Sequence, residues 1–150
     1  MPNHSIFLKR ALLFFWAAWF TLVFVSNMAD GAKALGLLPE EWAFASGNFR
    51  FVTETTARYG TPEWLNAILF AGVVVWEGLA AVLFWRAFWS YRDWKAGLQR
   101  AYLAMIVSLL LWAAFLIVDE AFIAYAVEGT HFRLFIATLA TVLVMELLPE

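Results

Sequence analysis

Apolar residues fall into four long runs: Ala11 to Met28, Trp64 to Trp85, Ala101 to Val118, and Phe132 to Met145 with its flanks. Each approaches the ~20 residues that an α-helix needs to cross ~30 Å of hydrocarbon. The fourth run is the shortest. Its interior, Leu134 to Met145, carries no charge, and Phe132 with Leu147 and Leu148 extends it while Arg133 reaches outward by its long stem. The pattern predicts an all-α protein, an integral membrane four-helix bundle forming one transmembrane domain over residues 1–150. Its helices are expected over about 8–29, 63–90, 98–127 and 131–148.

Polar positions collect in one sizeable connection, residues 30–62, which is expected to carry short amphipathic helices in the first outer loop. Asp30-Gly31 breaks the first helix. Pro39-Glu40-Glu41 reads as a helix start, with Trp42 and Phe44 on its apolar side. After Ser46-Gly47-Asn48, the residues Arg50, Glu54 and Arg58 recur at i, i+4 and i+8 as a salt-bridged face, with Phe49, Val52 and Thr56 opposite. Such a segment is expected to lie flat on the outer surface of the bundle or the membrane. Gly60-Thr61-Pro62 ends it, with Pro62 at the first helical position of the next helix.

Composition agrees with a lipid solvent: 64% of residues are hydrophobic and 15% charged, and mean hydropathy is +0.75. Soluble domains run at roughly 45–50% apolar and about 25% charged. Cationic residues set the orientation. Lys9 and Arg10 precede the first helix, and Arg86, Arg92, Lys95 and Arg100 crowd the second connection. The other connections hold Lys33, Arg50, Arg58 and Arg133 among a majority of acids. Cytoplasmic N- and C-termini are therefore expected, in what is read as a bacterial cytoplasmic membrane. The first run resembles a signal peptide only in its basic start; it is long and aromatic, and Ser26-Asn27-Met28-Ala29 is a poor cleavage site, so it is expected to remain as an anchor. A net charge of −2 leaves no basic field for nucleic acid, and no cysteine is present to bridge, attack or ligate.

Nine tryptophans occur. Trp64, Trp85, Trp89 and Trp94 fall near expected helix ends and suit interfacial anchoring, whereas Trp16, Trp19, Trp76 and Trp112 lie deeper and need partners. Glu77 stands near the middle of the second run, where an acid costs at least ~2.5–3.5 kcal/mol to insert and is by default a candidate functional group. Ser108, Thr21, Thr138 and Thr141 lie at similar depth by helix rise, so a hydroxyl across the bundle is the expected partner of Glu77. Gly78, Ala80 and Ala81 would let a neighbouring backbone come close. A second polar cluster is expected at the outer mouth, from Asn27, Asp30, Asp119, Glu120, Glu128, His131 and Arg133. Its bland reading has Arg133 pairing one acid while the others cap helix ends. The two histidines, His4 and His131, sit near or outside the boundary, which argues against a bis-histidine haem. No metal-ligand spacing, phosphate loop or nucleophile beside a base is present, so no metal, cofactor or catalytic residue is expected.

Asn27/Asp30, Glu77, Asp119-Glu120-Ala121-Phe122, Phe132-Arg133-Leu134-Phe135 and Pro149-Glu150 together resemble a family of small bacterial integral membrane proteins, four-helix and of unknown function. The outer loop departs from it at Thr53-Glu54-Thr55. A weaker likeness, through Gly60-x-Pro62 before a helix bearing a glutamate, is to the DoxX-type membrane proteins that accompany quinone-linked oxidoreductases. The family likeness implies topology and little chemistry. The expected function is therefore that of a non-enzymatic small integral membrane protein, an accessory or structural subunit of a larger respiratory or photosynthetic electron-transfer complex. Its partners would be the lipid bilayer and other membrane subunits or itself, with lipid or quinone contact. One alternative is a quinone-linked or proton-relay subunit using Glu77; another is a small oligomeric transporter or channel.

Overall fold

The computed structural model describes the backbone of residues 2–91 and 94–149, and side chains over 4–91 and 96–149. Arg92 and Glu150 lie outside the described residues, as do the side chains of Trp94 and Lys95, so the roles expected for them do too. All described regular structure is helical: α1 (Pro2–Ala34), α2 (Asn48–Thr56) continued by a 3-10 turn (Ala57–Tyr59), α3 (Glu63–Ser90), α4 (Trp94–Phe122) and α5 (Tyr125–Leu147). Spans within α1, α3, α4 and α5 are long and apolar enough to cross a membrane. Even α5, the shortest at 23 residues, extends about 34 Å at ~1.5 Å per residue, against ~30 Å of hydrocarbon.

Several boundaries differ from the sequence expectation, each for a local reason. Asp30-Gly31 does not break α1, which continues to Ala34. The Asp30 carboxylate is engaged by Ser46 and Phe49 of the following connection, and Gly31 faces the Phe70 ring, which a Cβ there would meet at 3.4 Å. The true stop is Gly36 at φ 68°, where Leu37 N donates to Ala32 O at 2.8 Å and Gly36 N to Lys33 O at 2.9 Å. That pair of bonds satisfies the last carbonyls of a helix that ends on a left-handed glycine.

Pro39-Glu40-Glu41 forms a turn closed by Trp42 N to Pro39 O at 3.0 Å, not a helix. Trp42 and Phe44 are about half exposed, so no buried apolar face supports a short helix there. Lys33 instead holds the turn, its Nζ donating to Glu40 O at 2.6 Å. The Arg50/Glu54 spacing does fall on a helix, α2, with an exposed ion pair at 3.6 Å. Between α4 and α5 the chain reverses at Ile123 and Ala124, earlier than expected, with Ile123 at φ 56°. A β-branched residue rarely takes that conformation, so nothing in the local sequence marks the turn.

The chain divides into two compact units, Met1–Ala18 with Ala80–Glu150, and Trp19–Leu79. In the first, Ala17, Ala80, Ala87, Ala101 and Ala104 are fully buried, and such small side chains let helix backbones approach. Two deep indoles find hydroxyl partners: Trp16 Nε1 donates to Thr141 Oγ1 at 2.9 Å and Trp112 Nε1 to Thr138 Oγ1 at 3.2 Å. Lys9 is 2% exposed, its Nζ donating to Leu148 O at 2.9 Å. The cation thereby sits at the C-terminus of α5, which Leu148 leaves in extended geometry ahead of Pro149. In the second unit, Phe49 packs edge-on against Phe70, ring centroids 5.4 Å apart. Gly78 faces Phe24, whose ring a Cβ would meet at 2.9 Å, so the close neighbour admitted there is an aromatic side chain.

Candidate functional site

Glu77 lies near the middle of α3, about 21 Å along the axis from Glu63 at ~1.5 Å per residue. It is 3% exposed. Its partner is Asn27 of α1, whose Nδ2 donates to Oε1 at 2.9 Å and to Oε2 at 2.7 Å. Asn27 is itself 1% exposed, and its Oδ1 accepts from Asn48 Nδ2 at 2.9 Å. A line of donors thus runs from Asn48 at the start of α2, through Asn27, to the Glu77 carboxyl. Each amide spends its donor on the next acceptor, so that neither of the two buried groups, Asn27 and Glu77, is stranded.

Asp30 stands three residues after Asn27 on the same face of α1. Its Oδ2 accepts from Phe49 N at 2.7 Å and Ser46 Oγ at 3.1 Å. The Ser46 hydroxyl also accepts from Asn48 N at 3.2 Å, and Ser46 N donates to Ser26 O at 3.3 Å. Gly47, at φ 76°, makes the bend that allows Ser46 and Asn48 both to engage α1. Asn27 precedes the end of α1 by about 10 Å at ~1.5 Å per residue. Residues 46–49 therefore fold back along α1. A further buried contact secures the far side of α2, where Thr56 Oγ1 donates to Asn66 Oδ1 at 2.8 Å; both residues are under 5% exposed.

The residues singled out in the sequence sort differently from the expectation. Glu77 pairs with an amide of its own unit, and the hydroxyls expected for it are otherwise engaged: Thr141 and Thr138 accept from Trp16 and Trp112. Ser108 is fully buried in the first unit, its Oγ without a hydrogen-bond partner among the described residues. Thr21 lies on the part of α1 within the second unit and is half-buried. Asn27 and Asp30 join the Glu77 network, whereas Asp119, Glu120, His131 and Arg133 belong to the other unit. There His131 Nδ1 meets Asp119 Oδ2 at 2.5 Å across the α4–α5 turn. The imidazole stacks on Phe115 with centroids 4.5 Å apart. Arg133 and Glu120 are exposed, so the histidine, not the arginine, pairs the acid.

Asn66 escaped sequence reasoning, and Ser46, Asn48 and Thr56 entered it only as turn and helix-face residues, not as members of a polar network. Asn66 carried the clearest available signal, an amide inside an otherwise apolar run, since such a group needs a partner. No group of three or more histidine, aspartate or glutamate side chains placed to hold a metal occurs among the described residues. These hydrogen bonds tie α1 to α3 through Asn27 and Glu77, and to residues 46–49 through Asn27 and Asp30. No family model, curated protein or solved structure matches the chain.

Proposed function

We propose that this chain is a non-catalytic four-helix membrane protein that serves as an accessory, structural subunit of a larger membrane complex of the electron-transfer type, with both termini cytoplasmic. One observation supports the reading most. The most apolar windows of the four candidate spans are only 17–33% buried by the chain itself. Most of each window is left for lipid or for a neighbouring subunit, while the polar groups of the Glu77 junction are matched internally and leave little for a substrate. Large apolar side chains such as Phe14, Phe15, Leu22 and Val25 line α1 at 44–59% exposure, a face suited to lateral packing. Extracted from its native membrane in mild detergent, the chain should migrate in a particle much heavier than one 17.1 kDa protomer with its micelle. Migration as a lone monomer would overturn the reading.

A second reading has one observation in its favour. The Asn48–Asn27–Glu77 line connects a segment between the spans to the middle of α3, as a relay that moves a proton or senses quinone chemistry would require. Glu77→Gln keeps most of the hydrogen bonding and removes titration. A proton-relay subunit would lose proton uptake in that variant; unchanged rates with unchanged assembly would leave the structural role alone standing.

A further inference from the structure

At the end of the first unit where α1 begins and α3 finishes, a groove of about 530 Å³ opens between the two helices, within the ~300–1,000 Å³ usual for small-ligand clefts. Ile6, Phe7, Arg10, Ala11, Phe14 and Phe88 line it. Five of the six are apolar, and Phe7 and Phe14 are 74% and 49% exposed. The sixth is a guanidinium lying over the Phe88 ring at 5.2 Å. The Nε of Arg10 is sealed from solvent and has no hydrogen-bond partner among the described residues.

Among the described residues, none forms an ion pair with Arg10: the ion pairs are Lys33–Glu40, Arg50–Glu54 and His131–Asp119. Arg86 is exposed two positions before Phe88, and Arg100 donates to Ser90 at the same end of α3. Glu146 accepts from the Tyr102 hydroxyl. Lys9, beside Arg10, donates to the Leu148 carbonyl. Trp85 closes the flank, edge-on to Phe14 at 5.8 Å and to Phe88 at 5.9 Å, and stacked on Trp89 at 5.1 Å. Aromatic rings beside cations at one end of membrane-length helices belong at the headgroup level.

We propose that this groove binds one anionic phospholipid, its phosphodiester held by the Arg10 guanidinium and an acyl chain lying along Phe7, Phe14 and Phe88. A guanidinium matches two phosphate oxygens by its planar fork. The apolar walls match the chain attached to that headgroup, and in the plane of a bilayer a phospholipid is the molecule that offers both. Arginines that form no ion pair among the described residues favour a headgroup of net negative charge over a zwitterionic one. The inference needs only that the chain resides in a membrane, and holds whether or not the protein is an accessory subunit.

The test uses the full chain, purified in mild non-ionic detergent and stripped of lipid, titrated with phosphatidylglycerol carrying brominated acyl chains and, in parallel, with brominated phosphatidylcholine. Bromine quenches nearby indoles, and the signal of Trp85, beside the groove, is isolated from that of the other tryptophans as the difference from a Trp85→Phe variant titrated in the same way. Phosphatidylglycerol should reach half-quenching at a mole fraction about tenfold lower than phosphatidylcholine, as expected for a charge-assisted contact. Arg10→Gln should erase that difference, while Arg58→Gln, an exposed arginine of the second unit, should keep it. Equal quenching by the two lipids in the unaltered protein would overturn the proposal, and that comparison stands even if Arg10→Gln fails to fold. A preference surviving in folded Arg10→Gln would overturn it too. So would loss of the preference on adding inorganic phosphate at constant ionic strength, which would mark a site for the free anion.

Discussion

Asn27 is a buried amide that joins two other polar groups, the buried Glu77 carboxyl and the exposed Asn48 at the start of α2. Replacing it by alanine leaves both oxygens of the buried Glu77 without donors and turns the exposed Asn48 amide to solvent. An orphaned buried group costs about 1–3 kcal/mol, more when charged. Interhelical hydrogen bonds in membranes average only ~0.6 kcal/mol when measured as couplings. The two figures separate the outcomes. Asn27→Ala should lower unfolding stability in detergent by at least about 2 kcal/mol, whereas the coupling from an Asn27/Glu77 double-mutant cycle should stay under about 2 kcal/mol. Glu77→Gln, which keeps an acceptor for Asn27, should cost less than about 1 kcal/mol. A neutral Asn27→Ala would mean that the junction is not closed as described. Glu77 was visible in the sequence because an acid within an apolar run is conspicuous. Its partner was not, because Asn27 is 50 positions away and stood beside Asp30, where a helix exit was the simpler reading.

At the scale of elements, the apolar runs marked the four long helices well and their ends poorly. α1 outlasts Asp30-Gly31 because tertiary bonds occupy the aspartate that would otherwise disrupt it, and no local pattern reports those bonds. The α4–α5 turn falls on Ile123 and not near Glu128-Gly129, since packing of the two helices holds a conformation that isoleucine disfavours. Two glycines test how closely the elements approach. A Cβ on Gly78 would meet Phe24 ring atoms at 2.9 and 3.1 Å, and one on Gly97 would meet the Tyr91 Cα at 2.7 Å. A ring can turn aside and backbone cannot. Gly78→Ala should therefore cost about 1–3 kcal/mol, as overpacking does, and be partly rescued by Phe24→Leu. Gly97→Ala should cost more and resist rescue by Tyr91→Ala, because the clash with the Cα remains. Thermal unfolding of the four variants in one detergent would check this, and equal costs at the two glycines would refute the packing described.

For the whole molecule, composition alone pointed to lipid as the solvent, and the four membrane-length helices agree with it. What composition could not show is how the polar remainder is distributed. Much of it is consumed internally: Trp16 on Thr141, Trp112 on Thr138, Asn27 on Glu77, Lys9 on Leu148, His131 on Asp119. Those pairings join residues far apart in sequence, so they become legible only once the helices are placed. The four candidate spans keep most of their most apolar windows unburied, 17–33% being buried, while these polar groups are paired within the chain. The proposed role, built on lateral association, is read most directly in the native membrane. The decisive measurement is gentle extraction of the chain carrying a C-terminal tag, with mass identification and quantitation of everything that co-purifies. Stoichiometric recovery of cofactor-bearing oxidoreductase or reaction-centre subunits is the expected result; recovery of the chain alone, or only with copies of itself, would contradict the account.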